Sequence, residues 1–476
     1  MNISVVGLGK LGSPLAAVLA HKGHTVIGVD MNPRNVELIN QGKAPVFEPG
    51  LDEYLHASRD RLSATTDLSH AVRNSEVTFI IVPTPSHEEG AFSLRYVLAA
   101  LEAIGAALRD KHDFHLVVLT STVMPGATGN EVLPALERHS GKRCGRDFGL
   151  CYNPEFIALG SVIHDMLHPD VVLIGESDVR SGDILVGIHH SICENTPPVA
   201  RMNFVNAELT KLAVNTFVTT KISYANMLAQ VCERLPGADV DVVTSALGLD
   251  SRIGRKYLKG ALGYGGPCFP RDNQAFAHLA RTVGVHAAVA EATDAQNRQQ
   301  VQRLAEAVHA RLPANGRVGV LGLSYKPNTD VVEESQGLEL ARHLHAHGVA
   351  VVVYDPAAAD KARSIVGDGI VFAASAVDCA RQVDVIVITT AWDEFRALSA
   401  EHLNSANGRP TVIDCWRVLD PANFGDAAHF VALGTGPRLD GHQSAAPQAA
   451  AREEWVDAGR SPSTGGMQKD RGFSPR

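Results

Sequence analysis

The stretch Gly7-Leu-Gly9-Lys-Leu-Gly12 constrains the fold of this chain more than any other, because it joins a strand pattern, Ile3-Ser-Val-Val6, to a helical run over residues 14–21. Glycines at the first two positions permit a tight turn and bring a pyrophosphate close to the helix N-terminus. The third lets the helix pack closely on the strand. Asp30 ends the second strand pattern, where a carboxylate accepts hydrogen bonds from the adenosine ribose hydroxyls. These residues predict a dinucleotide site at Gly7, Gly9, Leu11, Gly12 and Asp30; a turn that only packs is the other reading. A carboxylate at position 30 repels a 2′-phosphate, which favours NAD over NADP. Arg34 weighs against that preference, or else stacks on adenine or contacts its ribose.

Strand patterns at 3–6, 25–29, 77–82, 116–120, 149–152 and 171–174 alternate with helical stretches. This alternation predicts a parallel sheet with helices on both faces. From about 203 to 281 strand signals vanish, and 208–232 reads as one long helix. A second α/β block opens at Arg317-Val-Gly-Val-Leu-Gly-Leu, with strands at 349–354, 384–389 and 411–413. Beyond Leu433 the chain turns Gly/Ser/Pro/Gln-rich and is expected to be disordered to Arg476.

With 43 Lys+Arg against 52 Asp+Glu the net charge is −9, which argues against a general nucleic-acid or anionic-membrane binder. Apolar runs are too short to cross a bilayer, and the first residues enter a strand pattern with no cleavable leader. Seven scattered cysteines form no CxxC pair, so neither a disulfide framework nor a metal site is expected, and a cytoplasmic location fits.

One cysteine stands apart, in Gly263-Tyr-Gly-Gly-Pro-Cys-Phe-Pro-Arg-Asp272. Pro270 suits the first turn of a helix starting just after Cys268. A helix N-terminus and nearby cations lower a thiol's pKa, and the thiolate is the nucleophile. Asp272, four residues on, shares the face of Cys268. The plainer reading is a tight turn with a small buried cysteine. Glu208, Lys211 and Asn215 fall on one face of the long helix, either as a solvated edge with an ion pair or with Lys211 and Asn215 as donors to an oxyanion. Asn153-Pro-Glu155-Phe156 follows a strand at the end where open α/β sheets bind ligands; alternatively it starts a helix, with Glu155 serving its dipole.

Taken together, Gly7–Gly12, Val82-Pro-Thr-Pro85, Ser121-Thr-Val123, Asn153–Phe156, Glu208–Phe217, Gly263–Asp272 and Gly322-Leu-Ser-Tyr-Lys-Pro-Asn-Thr-Asp330 resemble the UDP-glucose/GDP-mannose dehydrogenase family over nearly the whole folded part. The resemblance implies an N-terminal Rossmann domain (1–198) for NAD, a central helical dimerisation domain with a long helix (199–300), a C-terminal Rossmann-like domain (301–433) for the UDP-sugar, and a tail (434–476). It implies a homodimer or higher homo-oligomer and oxidation of a sugar C6 alcohol to the acid with two NAD+. UDP-glucose is the leading substrate, and the acid would serve polysaccharide or glycolipid synthesis. Cys268 would carry a thiohemiacetal and then a thioester. Lys211 and Asn215 would stabilise the oxyanion, Asp272 and Thr122 would serve water, and Glu155 would act as acid–base. Thr84, Thr122 and Glu155 would also line the cofactor. Phe156, Tyr257, Lys259, Gly265, Lys326 and Arg417 would line the substrate, and Arg252 would reach a sugar across the dimer.

Three positions depart from the family pattern. Leu159 replaces a second glutamate, Glu333 replaces an arginine, and Asp414-Cys-Trp-Arg417 replaces Asp-Gly-Arg. These leave open another nucleotide sugar, a UDP-N-acetylhexosamine or GDP-mannose, and a non-catalytic binding protein of the same fold.

Overall fold

A computed structural model describes residues 1–403 and 408–437. Eight strands build the first sheet: β1 (Asn2–Val6), β2 (Thr25–Val29), β3 (Leu62–Thr65), β4 (Val77–Ile80), β5 (His115–Leu119), β6 (Phe148–Tyr152), β7 (Val172–Glu176) and β8 (Val199–Met202). Their order is β3-β2-β1-β4-β5-β6-β7-β8. The central strands β4, β5 and β6 are buried along their whole length, which is why they read as unbroken apolar runs. Helices cover both faces over two apolar clusters, in which Phe79 and Phe148 are almost or wholly enclosed. Each such ring is worth about 2–3 kcal/mol relative to exposure.

The sheet departs from the parallel expectation at one edge. β7 runs antiparallel to β6, and β8 follows β7. Between β6 and β7 the chain makes a long loop and only a short helix, Val162–Leu167. The loop stays at the carboxyl edge, so the chain re-enters the sheet from that side.

The middle of the chain is helical, as expected. Phe204–Cys232 is a single helix of 29 residues, about 43 Å long, with no glycine or proline in it. Asn203 caps it by accepting from the Asn206 N–H at 3.0 Å. The helix Phe269–Thr282 packs along it, and Ala288–His309 leads into the last domain.

The second sheet is parallel throughout, in the order β11-β10-β9-β12-β13-β14. Its strands are β9 (Arg317–Leu321), β10 (Ala350–Tyr354), β11 (Val371–Phe372), β12 (Val385–Ile388), β13 (Thr411–Asp414) and β14 (His429–Ala432). Strand order reverses beside the first strand of each sheet, between β1 and β4 and between β9 and β12. Open α/β sheets bind ligands at such points.

The two blocks differ at their second strand. Asp30 after β2 is half-buried and accepts from the Leu8 and Asn32 N–H groups, each at 2.8 Å. Asp355 after β10 is 2% exposed and is enclosed by donors from Leu323, Ser324, Ala357, Ala358 and Trp392 at 2.7–3.2 Å. It has no capacity left for a ribose.

Residues 434–437, expected in the disordered tail, are instead tied to the central domain. Val240 N–H donates to Gly434, Gly237 N–H to Pro437, and Gly436 N–H to Ala238. The rest of the expected tail, 438–476, lies outside the described residues. Among the described residues no helix is long and apolar enough to cross a membrane, and no cluster of side chains could hold a metal ion.

Candidate active site

The glycine loop fits a dinucleotide. A Cβ on Gly7 would collide with the Ile81 carbonyl and one on Gly12 with the Gly7 carbonyl, so both are fixed by close backbone approach. A Cβ built on Gly9 would meet nothing within 4 Å, which leaves open the side where a pyrophosphate meets the helix Gly12–His21. Leu11 precedes that helix without a capping side chain and packs, partly buried, against the core. Arg34 is exposed beyond Asp30, at the start of the helix Pro33–Asn40.

Loops after β4, β5 and β6 continue this rim. Thr84 is buried and donates to the Thr122 carbonyl at 2.7 Å, tying the first two together. Asn153 is locked by the Leu173 carbonyl at 2.9 Å and by His189 at 2.9 Å. Burial pushes His189 down to about 4, so the ring is neutral. Glu155 faces Met166, Pro169, Val172 and Ile192. Burial lifts its carboxyl to about 7, against the pull of Lys211. It does not serve a helix dipole, because the next helix begins at Val162.

The long helix presents Glu208, Lys211 and Asn215 to this rim, and all three are buried. The solvated-edge reading is therefore excluded. Glu208 accepts from the Gly126 N–H at 2.5 Å and the Thr128 N–H at 2.7 Å, fixing the segment after Thr122. Lys211 donates to the Glu155 carbonyl at 2.5 Å, with its ammonium 4.8 Å from the Phe156 ring centre. Asn215 donates to Asp272 at 2.6 Å.

Asp272 is 1% exposed, and its N–H donates to the Cys268 carbonyl at 2.8 Å, so the two residues do share one helical face. Arg271 reaches the other Asp272 oxygen at 3.3 Å and the Thr84 carbonyl at 3.3 Å. Arg271 was missed in the sequence because a basic residue before an acidic one reads as a surface pair. Cys268 itself opens to solvent, although most of what surrounds its sulfur is protein.

The expected depression of the Cys268 thiol is not found. Burial pushes it up and the Asp272 charge adds to this, while Lys211, Arg271 and Lys10 pull it down. The helix N-terminus and three cations are outweighed by desolvation and one close carboxylate.

The cysteine turn is seated on the C-terminal domain. Gly266 N–H donates to the Glu333 carbonyl at 2.9 Å, and a Cβ on Gly266 would stand 2.6 Å from the Tyr325 ring. Gly265 packs as tightly on the Glu334 carbonyl. Tyr325 therefore lies under the cysteine turn, and its place beside Lys326 in a recognised motif was the available signal. Tyr257 packs edge-on to Phe269 at 6.2 Å. Burial lowers both Lys259 and Lys326; Asp241 opposes it at Lys259, and Asp165 and Glu48 oppose it at Lys326. The Glu333 side chain pairs with Lys10 of the glycine loop at 3.9 Å across the cleft.

Two expected substrate ligands lie elsewhere. All five N–H donors of Arg417 are occupied: Asp241 takes two at 2.7 and 2.8 Å, and the carbonyls of Cys415, Leu433 and Gly260 take the rest. This residue joins the domains and is not a nucleotide ligand. Arg252 has an 86% exposed side chain held by neighbouring Asp250, outside the cleft of its own chain.

One dinucleotide cradle, a cysteine turn and a second α/β domain that closes the cleft define a three-domain NAD-dependent dehydrogenase. The chain belongs to the UDP-glucose/GDP-mannose dehydrogenase family and is an NAD-dependent nucleotide-sugar dehydrogenase. The family's NAD binding domain matches residues 1–193, its central domain 205–299 and its UDP binding domain 319–421. A UDP-glucose 6-dehydrogenase of Haloferax volcanii is 38% identical over 423 residues, covering 88% of this chain and 97% of the relative. A GDP-mannose 6-dehydrogenase of Pseudomonas putida is 37% identical over 359 residues, covering 75% and 81%. A solved UDP-glucose dehydrogenase from Pyrobaculum islandicum superposes with a TM-score of 0.81 at 37% identity, covering 90% of this chain and 96% of that one.

Proposed function

We propose that the protein oxidises the C6 alcohol of UDP-glucose to the carboxylate by a covalent route through Cys268. The observation that carries this reading is the meeting of Cys268, Lys211, Asn215 and Asp272 where the long helix, the cysteine helix and the C-terminal domain join. NAD+ supplies the hydride acceptor for each of two oxidations. After the first, the Cys268 sulfur adds to the aldehyde carbon and the carbonyl oxygen takes up a proton, giving a thiohemiacetal. Loss of the second hydride and a proton leaves a thioester. Water then adds to its carbonyl, the C–S bond breaks, the Cys268 sulfur regains its proton on the enzyme, and the acid is released.

Lys211 and Asn215 are the donors for oxygen charge at the tetrahedral stages. Asp272 and Thr122 orient water, and Glu155, near 7, can both take and give a proton at working pH. The raised thiol of Cys268 favours a neutral resting sulfur, which is deprotonated as it attacks. Thr84 and Asp30 belong to the cofactor side. Phe156, Tyr257, Lys259, Gly265 and Lys326 belong to the substrate side.

UDP-glucose is favoured over GDP-mannose because the match to a UDP-glucose relative extends over more of both chains. Oxidation of GDP-mannose is the second reading, since those relatives are nearly as identical over the shared part. We further assign the exposed apolar face of the long helix to a second copy, forming a homodimer. Phe217 is 66% exposed there, with Tyr224, Met227 and Val231 beside it. Arg252 would then serve the other subunit's sugar site. A cytoplasmic location agrees with seven free cysteines.

A panel of UDP- and GDP-sugars, scored by kcat/KM, NADH yield and product mass, tests the reading. UDP-glucose is expected to lead with two NADH per acid. One NADH with free aldehyde would refute the covalent route, and a leading GDP-mannose would move the substrate assignment. Cys268→Ser should stop after the first oxidation; full turnover would remove the sulfur from the reaction.

A further inference from the structure

We propose that Glu48 is a positioning residue for nucleotide-sugar binding. Its carboxylate holds the loop after β6 against the loop that carries Lys326, setting the spacing between the sugar and phosphate ends of the site. This rests on the reading above, in which Phe156 and Lys326 belong to the substrate side; here Phe156 is taken to meet the sugar and the Lys326 cation the phosphates.

Glu48 lies in the turn between the helices Pro33–Asn40 and Leu51–Ser58 of the dinucleotide domain. It is only 8% exposed, and both oxygens are occupied. One accepts from the Gly160 N–H at 2.8 Å, 112 residues away, and the other from the Val162 N–H at 2.7 Å. Two backbone donors on one carboxylate make a rigid, charge-assisted fork.

Asp165 secures the same loop through the Ala158 N–H at 3.0 Å and the Ser161 hydroxyl at 2.9 Å. Leu159 turns into the core and supplies no charge, so Glu48 and Asp165 are the carboxylates that fix this segment.

At the loop tip, Gly160 has φ of 88° and packs so closely on the Asn328 carbonyl that a Cβ would collide with it. Asn328 is two residues from Lys326. The Lys326 ammonium lies in the field of Glu48 and Asp165. Among the described residues it makes no hydrogen bond or ion pair, which leaves its donors for a ligand. The buried carboxylate of one domain thus fixes where the cation of another can meet a diphosphate.

The test is calorimetric titration of Glu48→Ala and Glu48→Gln with NAD+ and with UDP-glucose or GDP-mannose, whichever the unmodified enzyme binds, alongside melting temperature and steady-state kinetics. In Glu48→Ala the nucleotide-sugar Kd should rise at least tenfold while the NAD+ Kd stays within twofold, and KM should rise by more than kcat falls. Glu48→Gln keeps one acceptor and should recover part of the affinity; it carries the test if the alanine variant does not fold. An unchanged nucleotide-sugar Kd in a folded variant would overturn the proposal, as would equal losses for both ligands. If the unmodified enzyme binds neither nucleotide sugar, the functional reading fails, and this inference with it, before any variant is made.

Discussion

The Asn215 amide donates to an Asp272 carboxylate oxygen at 2.6 Å, joining the long helix to the cysteine helix through two side chains that water hardly reaches. Asp272 in turn sits one helical turn from Cys268, its N–H donating to the Cys268 carbonyl at 2.8 Å. Burial raises the Cys268 thiol most and the Asp272 charge adds to it, so the carboxylate held by Asn215 disfavours the thiolate.

Asp272→Asn should therefore have opposite effects on two measurements. Burial is the larger cause of the raised thiol and will remain. Removing the carboxylate charge should nevertheless move the iodoacetamide-reactivity midpoint of Cys268 to lower pH. Turnover should fall by about 10²-fold or more, the usual scale for losing an aligned catalytic group. A midpoint that stays or rises would show that Asp272 does not act on the sulfur.

Glu155 gives a pH-dependent stability signal. Its carboxyl is near 7 when folded and near 4.5 when unfolded. Between these values the native state holds a proton that the unfolded chain has lost, so this group favours folding below about pH 4.5. That contribution declines as pH rises and is gone above about 7. The difference amounts to about 3 kcal/mol. Melting temperature against pH should decline less steeply over this range in Glu155→Gln than in the unmodified protein. Parallel curves would contradict the assignment.

Two glycines should separate binding from folding. Gly9→Ala adds a methyl where nothing lies within 4 Å, so the melting temperature should hold within about 1 °C while NAD+ affinity drops tenfold or more. Gly266→Ala drives a methyl against the Tyr325 ring at a φ of 82°, and should cost about 1–3 kcal/mol along with most activity. Calorimetry with NAD+ and differential scanning of both variants would check the contrast.

Arg417→Ala should act on stability. Removing five hydrogen bonds that tie Asp241, Cys415, Leu433 and Gly260 to one buried guanidinium should cost about 1–3 kcal/mol in denaturant unfolding. The nucleotide-sugar KM of the folded fraction should stay within about twofold. A selective tenfold rise in KM would return Arg417 to the substrate site.

The parts of the fold that could be read from the sequence were those with long, uniform patterns. β4, β5 and β6 are buried on both faces and announce themselves as apolar runs, and the helix from Phe204 has no breakers. The sequence reading missed β3 and β8, because Leu-Ser-Ala-Thr and Val-Ala-Arg-Met are short and half-exposed. Nor do β11, of two residues, and the half-exposed edge strand β14 stand out in the sequence. Motif spacing brought Lys211, Asn215 and Asp272 into view. Local motifs say nothing about a carboxylate 112 residues from its partners, as Glu48 is, or about an arginine whose donors are all taken, as Arg417 is. The direction of the Cys268 shift depended on burial, which a helix-start pattern does not encode.

The saturated Asp355 has a consequence for traffic through the enzyme. With its acceptors filled from within, Asp355 has nothing to offer a ribose, so among the described residues the cradle at Gly9 is the one that fits a dinucleotide. The proposed two-stage oxidation would then have to trade the used coenzyme for a fresh one midway, while the half-oxidised sugar waits. In that reaction the tether through sulfur would keep the guest from leaving by the same door.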